Sequence, residues 1–132
     1  MAEEKVYGFY DNKSKVETVG VEHGIKGAWE YIKYSNGIME CWTNYEEENV
    51  EVNQPVTDKI YYKQILNKLV FPFEFIDVPT LTATNTGSHA LALVGFFDTT
   101  TTNAGGAYVY RFGQLITADK IRISIRAIGH WK

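Results

Sequence analysis

The sequence predicts an all-β protein, organised as a sandwich or a barrel of antiparallel strands. Short segments with strand-like patterns recur along the chain and are separated by turn signals, which is typical of these two architectures. Aromatic residues make up 14% of the chain and favour strands. No segment gives a clear helical pattern, and 132 residues fit one domain with its own core.

The clearest element is a predicted hairpin over residues 29–42. Its turn is assigned to Asn36-Gly37, because both residues tolerate the positive φ that a two-residue type I′ turn requires. Opposite charges and aromatic rings then face each other across the strands, and each such pair contributes roughly 0.2–1 kcal/mol. Counting outward from the turn gives the partners Ser35–Ile38, Tyr34–Met39, Lys33–Glu40, Ile32–Cys41 and Tyr31–Trp42.

This register divides the hairpin into two faces. The face predicted to lie in the core carries Ile32, Tyr34, Met39 and Cys41. The opposite face is half aromatic and half charged, so we expect it to be covered by another layer or used for binding. Its residues are Trp29, Tyr31, Lys33, Glu40 and Trp42.

Residues 1–25 are predicted to form an arm or linker outside the main core, which places the folded domain at residues 26–132. The arm contains a short apolar run at 6–10 and a short strand at 16–21, and His23-Gly24 is predicted to break the chain after that strand. Such terminal segments often pack only against a neighbouring chain.

The middle of the chain is predicted to alternate strands with polar connections. Residues 46–58 are predicted to form a polar loop at the edge of the molecule. Residues 60–71 fit a helical face as well as a strand, and their β-like flanks favour a long strand. Prolines bracket residues 73–78 and predict an edge or a crossing between sheets. Residues 80–84 alternate outward threonines with inward apolar side chains.

Three strands are predicted in the last third of the chain. Residues 90–97 are apolar throughout and predict a buried central strand. Residues 107–112 alternate, with Tyr108, Tyr110 and Phe112 on one face. The cleanest alternation predicts a half-exposed antiparallel strand over 120–131, whose inward residues are Ile121, Ile123, Ile125 and Ala127.

Composition and charge argue against several classes of function. The net charge of −3 and the lack of a basic run argue against nucleic acid as a partner. Cys41 is the single cysteine, so no disulfide within the chain is possible. The acidic start, Met1 to Glu4, lacks the basic region of a signal peptide, and no apolar run approaches the ~20 residues of a membrane span. We therefore expect synthesis in a cytoplasm, without a signal peptide and without membrane insertion.

The residue types that carry catalysis or bind metals do not cluster in the sequence. His23, His89 and His130 lie far apart, without partners at metal-ligand spacing, and are interpreted as polar surface residues or as hydrogen-bonded turn residues. Cys41 is interpreted as a small buried hydrophobe. The acidic run 46–51 lacks the spacing of a calcium loop and is interpreted as solvated, with cation binding as the lesser alternative. We therefore assign no catalytic residue, metal or cofactor.

The aromatic surplus is the strongest functional signal in the composition. These rings pack within the fold or against sister chains, or they form a ligand platform, since aromatic faces with polar tips suit interfaces and sugar stacking. Trp42 and Trp131 belong to the same surplus, and we expect at least Trp42 to be hidden by sister chains. The residues assigned to the ligand platform are Trp29, Tyr31, Tyr45, Tyr108 and Tyr110.

Four segments carry a resemblance to a known family. Residues 29–42 run Trp-Glu-Tyr-Ile-Lys-Tyr-Ser-Asn-Gly-Ile-Met-Glu-Cys-Trp, and residues 69–81 place prolines around a Phe-Glu-Phe segment. Residues 125–132 run Ile-Arg-Ala-Ile-Gly-His-Trp-Lys, with His130 where the family commonly has Arg. These three segments resemble the C-terminal domain of phage and prophage tail-fibre or receptor-binding proteins of Gram-positive bacteria. Residues 6–15 are similar to the start of short tail or base-plate proteins.

The resemblance implies a fold and a function. The fold is an antiparallel, jelly-roll-like β-sandwich knob with a short N-terminal arm, normally a homotrimer. The function is host attachment without catalysis, by a virion protein whose arm contacts other tail proteins and whose knob binds cell-wall carbohydrate or a surface protein. About 25 residues precede the knob here, where most fibres have a long shaft, so a short tail-tip or head-decorating appendage, or a defective prophage product, also fits. A carbohydrate-binding module and a tail-associated glycan hydrolase are the alternatives.

Overall fold

The computed structural model describes residues 6–11, 16–86, 92–113 and 115–132. These residues form strands and connections without a helix, which confirms the all-β prediction. The strands are β1 (Val6–Asp11), β2 (Val16–Lys26), β3 (Trp29–Tyr34), β4 (Ile38–Val52), β5 (Gln54–Pro55), β6 (Ile60–Leu66), β7 (Thr80–Asn85), β8 (Leu93–Phe97), β9 (Gly106–Phe112) and β10 (Leu115–His130).

The strands form two antiparallel sheets. The larger sheet has the order β1-β2-β3-β4-β10-β7, and the smaller has the order β5-β6-β9-β8. In the larger sheet β4 and β10 pair from Ile38 opposite His130 to Val52 opposite Leu115. This long central pair gives the larger sheet most of its inward apolar surface.

The core lies between the sheets and is apolar. The period-2 prediction for β10 is confirmed, because its four inward side chains are at most 1% exposed. No polar or charged residue is buried among those whose side chains the structure describes. The core also takes Met39, Cys41, Val50 and Val52 from β4, Ile65 and Leu66 from β6, Ala107 and Val109 from β9, and Phe71 and Phe75 from the connection between β6 and β7.

That connection confirms the predicted crossing between sheets. It runs from β6 in the smaller sheet to β7 in the larger sheet. Hydrogen bonds tie it to the connection between β8 and β9: the N–H of Phe71 donates to the Thr102 carbonyl at 3.0 Å, and the N–H of Phe75 donates to the Thr101 carbonyl at 2.9 Å. The two connections together close one end of the core.

The turn between β3 and β4 differs from the prediction. It has three residues, 35–37, not two. The N–H of Gly37 donates to the Tyr34 carbonyl at 3.1 Å, Gly37 has a φ of 93°, and Asn36 keeps a negative φ. This pattern is a type I turn followed by one left-handed residue, the usual three-residue hairpin. Gly37 therefore supplies the single positive φ that the turn needs.

The extra turn residue shifts the cross-strand register by one position. Tyr31 lies opposite Cys41, and Lys33 lies opposite Met39. A shift by one residue moves every side chain of a strand to the other face. The predicted pairs are therefore wrong, and the inward face of β3 carries Trp29 and Tyr31. Ile32 lies on the opposite face of β3 and is buried as predicted, at 4% exposed. The core face of β4, with Met39 and Cys41, is as predicted.

The charged residues of the hairpin find other partners in the observed register. Lys33 points toward the edge of the core, where its ammonium lies 3.6 Å from the centre of the Phe73 ring. Glu40 lies on the outer face and forms an ion pair with Arg126 of β10. Both contacts are with segments distant in sequence, so the hairpin alone did not contain the information that sets its register.

Other predicted boundaries also change. β4 continues to Val52, so residues 46–52 are strand and not loop, because β10 pairs along this length. β2 continues through His23-Gly24, which pair with β3 and do not break the strand. β8 lies at an edge of the smaller sheet, so the predicted buried central strand is wrong, and Leu93 is 58% exposed. Residues 87–91 lie outside the described residues.

The N-terminal strands extend the larger sheet. β2 pairs with β3, and β1 pairs with β2 at the edge. The predicted boundary between residues 25 and 26 falls near the end of β2. The division into an arm and a domain at that point stays a prediction.

Candidate binding surfaces

Trp29 and Tyr31, predicted to lie on an open platform, are buried. They are 1% and 8% exposed and belong to the core. The Tyr31 ring packs edge-on against Phe73, with ring centres 4.8 Å apart, and its hydroxyl donates to the Glu22 carboxylate at 2.5 Å. The physical reason is the register shift, which turns their face of β3 inward. Neither ring presents a face to solvent.

Tyr45 joins the two sheets. Its hydroxyl lies 2.9 Å from the carbonyl oxygen of Ile65 in β6 and 2.7 Å from a carboxylate oxygen of Glu47. Burial, followed by the Glu47 contact, raises the pKa of Tyr45 to about 12. The hydroxyl proton is therefore shared between two acceptors within the fold, and the side chain packs against the core.

Tyr108 and Tyr110 lie together on the outer face of the smaller sheet, as their alternation predicts. They line an open groove of about 650 Å³, which we call the aromatic groove. The rings of Tyr108 and Phe97 stack with centres 5.6 Å apart, and Tyr62 and Tyr110 each meet Tyr108 edge-on. The lining residues are Val56, Ile60, Tyr62, Gln64, Gly95, Phe97, Tyr108 and Tyr110.

Gly95 keeps the floor of the aromatic groove open. A Cβ at this position would lie 3.2 Å from the Tyr108 ring and 3.6 Å from the Tyr110 ring. Around the groove Val56, Leu93 and Phe112 are strongly exposed, and Phe112 is 76% exposed. None of the lining residues is charged. An exposed apolar surface of this kind is typical of an interaction site.

The outer face of the larger sheet has a different character. A depression of about 430 Å³ beside Trp42 combines this indole with charged side chains. His23 lies 2.9 Å from a carboxylate oxygen of Glu30, and Glu40 is paired with Arg126. We call this surface the Trp42 face; the depression is lined by His23, Glu30, Ile32, Tyr34, Glu40, Trp42 and Arg126.

A second depression lies on the other side of Trp42 and has a volume of about 330 Å³. Trp42 and Arg126 line both depressions, so they form the ridge between them. The second depression is rich in hydroxyl and amide groups, and the Ser124 hydroxyl donates to the Asn44 amide oxygen at 2.8 Å. Its other lining residues are Thr43, Asn44, Thr82, Thr84, Ser124 and Ile125.

Sequence reasoning did not find the Trp42 face. The two-residue turn placed Trp42 beside Trp29 and Tyr31 and away from Glu30. The alternating threonines of β7 and the outward Arg126 of β10 were visible signals. Only the strand order brings them beside Trp42, because β10 lies between β4 and β7.

The described residues contain no group of three or more histidine, cysteine or acidic side chains able to hold a metal ion. In the same part of the chain no helix has the length and apolar character needed to cross a membrane. Cys41 is fully buried, and burial raises the pKa of its thiol to about 12. A thiol in this environment is a weak nucleophile, because the thiolate is the reactive form.

No family model and no curated protein matches the chain. Solved structures do resemble it. A structure of the P. aeruginosa R1 pyocin fibre, comprising C-terminal residues 323–701, superposes with a TM-score of 0.55 at 16% identity. The alignment covers 84% of this chain and 29% of that chain. The chain has the fold of a pyocin fibre domain. A structure of an N-truncated R1-type pyocin tail fibre gives a TM-score of 0.53 at 18% identity, covering 84% of this chain and 88% of that one.

At these identities the likeness concerns the fold. It agrees with the tail-fibre fold that the sequence motifs imply. The pyocin fibres belong to P. aeruginosa, and a Gram-positive origin of the present chain stays a prediction. The chain spans less than a third of the first pyocin fibre structure.

Proposed function

We propose that this chain is a tail-fibre domain that attaches a phage or phage-like particle to the host cell surface by binding, without catalysis. The observation that carries the proposal is the fold, which matches pyocin fibre structures over 84% of the chain. In this proposal the protein is part of the virion tail or an appendage. Residues 1–25 would contact neighbouring tail proteins.

The proposal includes self-association into a homotrimer through the aromatic groove. Its occupant is a second copy of this chain. Copies that each carry a net charge of −3 repel one another. Contact through the aromatic groove adds the least repulsion, because its lining has no charged residue. Covering apolar surface contributes about 25 cal/mol per Å² removed from water. The exposed side chains of Val56, Leu93 and Phe112 add to the area available.

The groove is less suited to sugar. A sugar's hydroxyl groups lose hydrogen bonds to water when covered, and each unmade bond costs free energy. The groove lining offers the Gln64 amide and tyrosine hydroxyls as its side-chain polar groups. We therefore assign Tyr108 and Tyr110 to contact between copies, and their predicted role in stacking on a ligand is the competing assignment.

A trimer would strengthen attachment. Three weak sites held on one rigid particle can raise overall affinity by ~10²–10⁴ if the host surface allows simultaneous binding. Attachment without catalysis therefore does not require a tight single site.

The test combines molar mass with cell binding. Light scattering after size exclusion should give the mass of a trimer at micromolar concentration. Gly95→Val fills the groove and should shift the mass toward that of a monomer. Ile76→Ser changes an apolar side chain that is 56% exposed outside the groove and should leave the mass unchanged. A wild-type chain that elutes as a clean monomer contradicts the trimer.

Fluorescently labelled chain should also bind cells of at least one strain in a panel of bacteria. Failure to bind any strain contradicts attachment. Release of new reducing ends from bound cells would favour the glycan hydrolase instead, and binding by a stable monomer would favour a carbohydrate-binding module.

A further inference from the structure

We infer that the Trp42 face is a binding site for a neutral glycan. The inference rests on the proposed function, since it names the ligand and the surface that attachment would use. It is separate from the aromatic groove, which lies on the other sheet.

Strand pairing places a row of recognition groups across four neighbouring strands. Glu30 of β3 lies opposite Trp42, Trp42 lies opposite Arg126, and Arg126 lies opposite Thr82 of β7. Residues directly opposite each other share a face of the sheet. With strands about 4.8 Å apart, the row extends about 14 Å, which suits an extended oligosaccharide more than a single ring.

Trp42 differs from the other two tryptophans in its hydrogen bonding. The indole N–H of Trp29 donates to the Val70 carbonyl at 2.7 Å, and that of Trp131 donates to the Tyr34 carbonyl at 3.1 Å. Within the part of the chain that the structure describes, the N–H of Trp42 has no protein partner. The side chain is half-buried and contributes nothing to the core cluster. Trp42 therefore lines both depressions with an indole N–H that the fold does not use.

The polar groups around Trp42 are already held in place. The Glu40 carboxylate pairs with Arg126 through one oxygen and accepts the Tyr34 hydroxyl at 3.2 Å through the other. Glu30 is held by His23, whose ring centre lies 6.4 Å from that of Trp42. Side chains fixed before binding lose less conformational entropy when a ligand arrives. Carboxylates accept and guanidinium groups donate, so together they match the hydroxyl groups of a sugar.

The charges select the ligand class. The depression holds two carboxylates, those of Glu30 and Glu40, against the single guanidinium of Arg126. An anionic sugar would be repelled, whereas a neutral sugar would not. The second depression adds Thr82, Thr84 and Ser124, which both donate and accept hydrogen bonds and carry no charge. Both sides of the Trp42 ridge therefore favour a neutral polyhydroxylated chain.

Fluorine NMR of fluorotryptophan-labelled protein tests the site in the full chain. The three tryptophans give three signals, and that of Trp42 is assigned by its loss in Trp42→Phe. Maltotriose, cellotriose and chitotriose serve as neutral probes, and a galacturonic acid trimer serves as the anionic probe. We expect at least one neutral probe to shift the Trp42 signal while the buried Trp29 signal stays in place. A shift produced only by the anionic probe overturns the ligand class.

Binding to cells separates failure of the site from failure of the proposed function. Trp42→Ala should weaken cell binding about tenfold or more, because the aromatic ring on which a sugar stacks is lost. Trp42→Phe keeps an aromatic ring and should retain most of the binding. A Trp42→Ala protein that remains folded and binds cells as well as the wild type overturns the site and leaves the attachment function standing. If the wild type binds no strain and no probe shifts Trp42, both proposals are wrong.

Discussion

The indole N–H of Trp29 donates a hydrogen bond of 2.7 Å to the carbonyl oxygen of Val70. The two residues are 41 positions apart in the chain. The Trp29 ring also packs against Phe71, with ring centres 5.5 Å apart. These contacts attach the first residue of β3 to the connection that crosses between the sheets. Trp29 is therefore a structural residue at the junction of the two sheets.

Trp29→Phe should lower the free energy of unfolding by about 1–3 kcal/mol. The substitution retains an aromatic ring, removes part of the packing and leaves the Val70 carbonyl without its donor. Urea denaturation followed by circular dichroism measures the change. Trp131→Phe removes a longer hydrogen bond from a half-buried ring, so it should lower the free energy of unfolding by less than Trp29→Phe does. Equal stability of the Trp29→Phe and wild-type proteins would contradict this role.

Gly37→Ala should destabilise the protein more than Gly27→Ala does. Both glycines have positive φ, 93° and 62°, and an alanine in that region costs about 1–2 kcal/mol. At Gly27 the added methyl group would meet nothing within 4 Å, whereas at Gly37 it would lie 2.6 Å from the Lys132 carbonyl oxygen. Gly27→Ala therefore measures the backbone cost alone, and the difference in urea midpoint measures the steric contact. An equal loss of stability in Gly37→Ala and Gly27→Ala would mean that the chain near Lys132 shifts freely.

Stability should fall at alkaline pH as tyrosines ionise. The pKa of Tyr45 is about 12 in the folded protein, raised chiefly by burial, against about 10 for a free tyrosine. The hydrogen bond to Glu22, followed by burial, also raises the pKa of Tyr31. The unfolded chain therefore loses these protons first. The stabilisation is complete below pH 10 and is lost as the pH rises toward about 12.

Urea midpoints measured from pH 8 to pH 11 test this expectation. In Tyr45→Phe the urea midpoint should fall less steeply with pH above pH 10, because one titrating group is gone. Tyr62→Phe removes a tyrosine that lines the aromatic groove on the outer face of the smaller sheet, and it serves as the control. An identical slope in Tyr45→Phe and the wild type would contradict the assignment.

Cys41 should react with thiol reagents only when the protein opens. Its side chain is fully buried, and burial raises the pKa of the thiol to about 12. The rate of modification should therefore rise with urea in step with the unfolded fraction. Rapid modification of the native protein would show that the β4 side of the core opens independently of global unfolding. The protein has one cysteine, so the signal has a single source.

Local pattern determined most of the secondary structure. The alternation in β10 predicted its inward residues correctly, because one face of a central strand must be buried and the side-chain period is two. The alternation in β9 placed Tyr108 and Tyr110 on one face, as observed. The burial of Cys41 also followed from its position in the hairpin pattern. These features depend on residues within a few positions of each other.

Tertiary structure decided the hairpin register, and with it the candidate site. Asn36-Gly37 is compatible with a two-residue or a three-residue turn, and local chemistry does not separate them. The choice depends on distant partners: Lys33 lies over Phe73, Glu40 meets Arg126, and Trp29 bonds to Val70. The register that results places Trp29 and Tyr31 in the core and Trp42 on the outer face.

The sequence by itself determined that the chain forms antiparallel strands around an apolar core, and its motifs indicated a tail-fibre fold. Only the tertiary structure decided which aromatic rings are open, because exposure depends on which strands become neighbours and which segments cover them. β10 is inserted between β4 and β7 from the far end of the chain and brings Arg126 beside Trp42. No local pattern encodes that adjacency, since it results from the packing of the whole chain.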